Sequence, residues 1–207
     1  MNLPAASSRE VHLFRKNSGL PEGLRIGNTQ EFISKGGALT AIGELDKASA
    51  AYFKAIVLKP DSAEAWLGLA FISYFQGRFD LALGQCKRAI AFKPDYAKAW
   101  WFKGSLLSLR GKWDDSLSAY AEAIRITPDY VEAWKGRGDT LLLMKKYDTA
   151  LAAYEQAIRL KADYAEALFG KYEALIALGR RNEAVAAYNK AVGINPDLAW
   201  DEYGVPE

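Results

Sequence analysis

The chain reads as an all-α solenoid of antiparallel helix pairs, and three observations lead there. Tryptophans recur at one constant interval, at Trp66, Trp100 and Trp134. Other columns keep the same step: Ala55, Ala89, Ala123, Ala157 and Ala191; Tyr52, Cys86, Tyr120, Tyr154 and Tyr188; Pro60, Pro94, Pro128 and Pro196, with Ala162 in the gap. Within each period the apolar residues fall at helical spacing in two segments around a short break. A fixed period of this length marks stacked units, each burying its apolar side on its neighbours.

The elements follow in order. Residues 1–28 fit no repeat; they hold one short helical candidate around Arg9–Lys16 and read either as a disordered leader or as a segment that docks on the array. The first repeat, 29–62, is degenerate, with Phe32 in the tryptophan column and Lys35-Gly36-Gly37 weakening its first helix, as suits a capping unit. In the second, 63–96, Ala65, Trp66, Leu69, Ala70 and Ser73 share one face. Gly77-Arg78-Phe79 interrupts, and Phe79, Ala82, Leu83, Cys86, Ala89 and Ile90 line a second helix. Repeats 97–130 and 131–164 follow the same scheme. The fifth, 165–198, departs from it, with Tyr172 in a column of small residues and Arg181 where others carry Leu45, Phe79, Trp113 or Tyr147. In the tail, 199–207, Trp200 and Tyr203 either cover the end of the array or leave it for another copy.

The breaks repeat as Gly43, Gly77, Gly111 and Gly179, with Lys145 standing in once. Glycine there can take the left-handed conformation that ends a helix. Asp46, Asp80, Asp114, Asp148 and Asn182 are expected to cap the second helices. Glu64, Glu132 and Glu166, each at the capping-box spacing after an aspartate, are expected to close such boxes on the first. Gly36, Ala70, Gly104 and Gly138 face the small residues Ala48, Ala82, Ser116, Ala150 and Ala184, a pattern that lets paired helices approach closely.

The pattern Ala65-Trp66, Leu69-Ala70, Gly77-Arg78-Phe79, Ala82, Ala89-Ile90, Pro94 resembles the tetratricopeptide repeat (TPR), a helix–turn–helix unit of this length. The resemblance covers five repeats and most of the chain. It implies a right-handed superhelix whose first helices line a concave groove and whose second helices form the convex back.

Composition narrows the function. Of 207 residues half are apolar and a quarter charged, with a net charge of +2 from well-mixed signs, so no nucleic-acid tail is indicated. No apolar stretch approaches a membrane span, and Met1 to Ser8 lack the basic start and apolar core of a secretory signal. One cysteine permits no internal disulfide, and a cytoplasmic location is expected. His12 is the only histidine and Cys86, in an apolar column, the only cysteine, so no zinc set can form within a single chain. The chain has no phosphate loop and no nucleophile elbow. A non-catalytic protein without cofactor or metal is the expectation.

The ligand face that the resemblance implies is the groove side of the first helices: Ile33, Leu67, Phe71, Tyr74, Phe75, Lys98, Trp101, Ser105, Glu132, Lys135, Asp139, Glu166, Phe169 and Glu173. Leu67, Phe71, Phe75 and Trp101 form an apolar wall; Glu132, Lys135, Asp139, Glu166 and Glu173 supply charge. The Lys and Asn clamp with which one TPR subclass grips chaperone C-termini is absent, since the matching places hold Ile33, Gly37, Phe71, Trp101 and Ser105. An apolar or amphipathic segment of a partner protein is therefore expected in the groove. The alternative is self-association, in which the leader or an array end docks on another copy.

Overall fold

The structure is a computed structural model and describes residues 28–199. Among these, ten α-helices follow one another and no strand occurs. They are α1 (Thr29–Ala41), α2 (Leu45–Leu58), α3 (Ala63–Phe75), α4 (Phe79–Phe92), α5 (Ala97–Leu109), α6 (Trp113–Ile126), α7 (Val131–Leu143), α8 (Tyr147–Leu160), α9 (Ala165–Ala177) and α10 (Arg181–Ile194). A 3-10 turn, Pro196–Leu198, closes the described chain. The expected helix at Arg9–Lys16, and the expectations for His12, Trp200 and Tyr203, lie outside the described residues. The chain divides into two compact units, Met1–Ala99 and Trp100–Glu207.

Each helix pair turns at a residue with positive φ: Gly43 (77°), Gly77 (72°), Gly111 (69°), Lys145 (59°) and Gly179 (73°). The turn returns free amides to the helix just ended. At the end of α3 the Gly77 and Arg78 N–H groups donate to the Tyr74 and Ser73 carbonyls at 2.9 and 2.8 Å. A side chain in this conformation costs about 1–2 kcal/mol, which glycine avoids. Lys145→Gly is accordingly expected to stabilise the chain by about 0.5–1 kcal/mol, after glycine's larger unfolded-state entropy is subtracted. A chemical-denaturation midpoint that falls or stays put would contradict the strain at this turn.

The caps depart from the sequence expectation. The second helices are preceded by Glu44, Arg78, Lys112, Lys146 and Arg180, none of which makes a side-chain cap. Asp46, Asp80, Asp114 and Asp148 fall inside the first helical turn, where their charge complements the helix N-terminus without capping it. The tight turn is the reason, because the helix starts almost at once after its left-handed residue. The capping boxes on Glu64, Glu132 and Glu166 are also not formed. Ser62 caps α3 through the Ala65 N–H, and Tyr130 and Tyr164 precede α7 and α9. A capping box does form between Asn28 and Glu31, ahead of α1.

Paired helices do approach closely, as where Ser116 Oγ donates to the Gly104 carbonyl at 2.8 Å. The glycines have a larger role, however. A Cβ on Gly36 would lie 2.8 Å, and one on Gly68 2.3 Å, from ring carbons of Tyr52. In the second compact unit Tyr120 sits in the same way between Gly104 and Gly136, at 2.8 and 2.6 Å. Tyr154 sits between Gly138 and Gly170, at 2.6 and 2.5 Å. Tyr52, Tyr120 and Tyr154, each from a second helix, are wedges between two first helices, with no space for a side chain on either. Where the column holds Cys86, the first-helix position is Ala70, and both are fully buried. The Cys86 thiol reaches the Ala99 carbonyl at 3.0 Å.

Candidate functional site

The expected ligand residues all belong to the first helices or their first turns, and their surroundings differ from one to the next. Tryptophans of the repeat column are occupied elsewhere. The Trp66 indole N–H donates to the Pro60 carbonyl at 2.8 Å and that of Trp134 to the Pro128 carbonyl at 2.9 Å, holding the inter-repeat turns. The Arg88 guanidinium lies 4.6 Å over the Trp66 ring.

In the first compact unit the expected wall is only partly present. Leu67, assigned to it, is 2 % exposed and belongs to the core. It shares its column with Trp101, Lys135 and Phe169, yet it is short enough to be covered completely. Ile33 packs half-buried against the core around Phe32. Phe71 is half-buried, with the Lys98 ammonium 5.5 Å over its ring. Tyr74 packs edge-on against Phe75 (centroids 5.6 Å) and against Phe79 (5.8 Å), so these aromatics gather at the α3–α4 turn. Phe75 remains 58 % exposed.

In the second compact unit Trp101 is half-buried, its ring 6.0 Å from that of Tyr130 and 6.1 Å from that of Phe102. Ser105 Oγ donates back to the Trp101 carbonyl at 3.3 Å and meets the Tyr120 hydroxyl at 3.1 Å. Asp139 is shared: the Lys135 ammonium is 2.8 Å from one oxygen, and the Tyr154 hydroxyl donates to the other at 3.0 Å. Burial, then the neighbouring Asp139, raises the Glu173 carboxyl above its ordinary range, and Lys135 opposes this. Phe169 packs against Tyr172 (5.5 Å) and Tyr188 (6.5 Å), while Glu132 and Glu166 are exposed. Tyr172, the oversized residue of the fifth repeat, thus joins an aromatic cluster.

Sequence reasoning missed the column Tyr96, Tyr130 and Tyr164, which immediately precedes α5, α7 and α9. Its signal was available, since the three keep the interval of the tryptophans and stand immediately after the turn aspartates. Burial, followed by Glu132, Glu166 and Asp139, pushes the Tyr164 phenol up to about 12. Burial likewise takes Tyr120 to about 12, the Ser105 hydrogen bond pulling the other way. Tyr154 is raised by burial and then by Asp139. Since these folded values exceed the unfolded value of 10.0, the stabilisation is complete below that pH and is lost as pH climbs toward and through the folded values. Alkaline titration is therefore expected to ionise these phenols together with loss of helix signal above pH 10. Tyrosine ionisation complete near the ordinary value, with helix retained, would contradict their burial.

Among the described residues no three His, Cys, Asp or Glu side chains are grouped to hold a metal, and no helix is long and apolar enough to cross a membrane.

Comparisons with known proteins agree with this architecture. Family models of the tetratricopeptide repeat match residues 36–77, 95–163 and 141–202. No curated protein matches the chain in sequence. Among solved structures, the thermophilic TPR protein TTC0263 of Thermus thermophilus is 28 % identical with a TM-score of 0.69, over 82 % of this chain and 94 % of its own. MamA is 25 % identical with a TM-score of 0.68, over 78 % and 95 %. YrrB, a TPR protein described as having an unusual peptide-binding site, is 20 % identical with a TM-score of 0.63, over 82 % and 88 %, and shows the fold alone.

Proposed function

From the chain's membership of the tetratricopeptide repeat family, we propose that it is a non-catalytic scaffold whose first helices bind an apolar or amphipathic segment of a partner protein. The observation that carries this reading is the aromatic surface left over once the core is complete: Phe71, Tyr74 and Phe75 in one compact unit, Trp101 and Phe169 in the other, all outside full burial. Aromatic side chains held by neighbours bind at low entropic cost and dominate recognition energetics. Lys98 over Phe71, and Lys135 with Asp139, would set the orientation of the segment. Trp101→Ala and Phe71→Ala are each expected to weaken capture of the partner from native extract by tenfold or more, at unchanged helix content. Full binding by both variants would rule out this face.

Self-association is a second reading. It is favoured by Val185 and Ile194, large apolar side chains exposed on the last described helix. Sedimentation across a concentration series reads it, and a monomer at every concentration excludes it.

A further inference from the structure

The second compact unit carries a surface that the groove reading does not use. Each helix reverses the one before it, so the turns 110–112, 144–146 and 178–180 lie at one end of that unit. Its two most exposed large apolar side chains among the described residues are both there: Leu109, 62 % exposed, and Leu143, 56 %. Each ends a first helix, and part-exposed Trp113 and Tyr147 open the second helices that follow. Ile176 adds to the apolar content at the third turn. Cations interleave with these groups: Arg110 and Lys112 at the first turn, Lys145 and Lys146 at the second, Arg180 and Arg181 at the third, all exposed. The facing carboxylates are Asp114, Asp115, Asp148 and Glu183, and Glu183 is already held by Arg180 at 2.7 Å. At the opposite end the turns 127–130 and 161–164 and the helix ends beside them hold Arg125, Arg159 and Lys161 against Asp129, Glu132, Asp163 and Glu166, with no cation excess.

From this arrangement we infer that the turn end of the second compact unit docks on an anionic lipid bilayer as a peripheral, reversible contact. The chemistry is complementary at two levels. Lys and Arg beside a membrane are drawn to acidic headgroups, by about fivefold in affinity for each cation. Leucine tips and an aromatic pair suit the boundary between headgroups and acyl chains, where amphipathic rings concentrate. The apolar groups stand singly at successive helix ends. Separate tips of this kind gain more from a deformable surface than from a partner that must offer a matching pocket for each.

The test is co-sedimentation of the full chain with phosphatidylcholine vesicles, with and without phosphatidylserine, at low and raised salt. Binding is expected only with phosphatidylserine and should fall as salt rises. Leu109→Ser with Leu143→Ser should weaken it at least tenfold through lost apolar burial. Lys145→Gly with Lys146→Ser, changes this turn accommodates, should weaken it by about 25-fold. Trp101→Ala should bind like the parent, which separates this surface from the groove. No sedimentation with phosphatidylserine vesicles overturns the inference. So does binding that the leucine substitutions leave intact, or capture by polyglutamate without capture by vesicles, which would assign the edge to an acidic protein.

Discussion

Tyr154→Ala is expected to lower the unfolding free energy by about 3–5 kcal/mol, the range for removing a large aromatic side chain from a core. The ring is completely buried between α7 and α9, and the positions on either side of it are Gly138 and Gly170. Two glycines have no side chains that could move into the space, so the cavity should persist and the cost should fall toward the upper end of that range. The hydroxyl adds a second contribution through its 3.0 Å bond to Asp139. Tyr154→Phe isolates it: the loss should be about 1.5–3 kcal/mol, as for a hydrogen bond to a charged group, tempered by the Lys135 ammonium that still pairs with Asp139. Denaturant unfolding followed by helix signal measures both. An alanine variant no less stable than the phenylalanine variant would mean that the ring is not a wedge holding the two helices apart.

The same substitution made at two glycines should act with opposite signs. Alanine favours a helix over glycine by about 1 kcal/mol. At Gly84, exposed in α4, an added Cβ meets nothing within 4 Å, so Gly84→Ala should realise most of that gain. Gly68, buried in α3, is different, because the new methyl would lie 2.3 Å from Tyr52 Cε1 and 2.4 Å from Cζ. Either the ring or the helix must shift. Overpacking of this kind costs about 1–3 kcal/mol and should exceed the propensity gain. Two melting curves decide the matter, and stabilisation by both substitutions would show that α3 is not seated on Tyr52.

Much of this architecture was legible in the residues. Helix pairs, the turn between them and the substitution of Lys145 for glycine all follow from a period repeated along one chain, where every repeat checks the others. The columns also separate Trp66 and Trp134 from Trp101, and the first two do hold turns through their indole N–H groups. Capping was less legible. Asp46 and its counterparts carry the right side chain a position or so inside the helix, and only the turn's backbone decides which residue is the cap.

The candidate binding face was the least legible part. Leu67 and Trp101 occupy one column, yet one is sealed in the core and the other half-open. In the column of Tyr52, Tyr120, Tyr154 and Tyr188 the first three are wedges, and the hydroxyls of Tyr120 and Tyr154 reach Ser105 and Asp139. Local order in a repeat arises from neighbours within a turn or so of helix, whose spacing the chain spells out directly. Burial and the pairing of polar groups arise from side chains brought in by other helices, where the size of each ring and the absence of each Cβ decide together. Period and turns therefore belonged to the amino-acid order of this protein. The tyrosine wedges, the burial of Leu67 and the sharing of Asp139 came into being only when the helices packed.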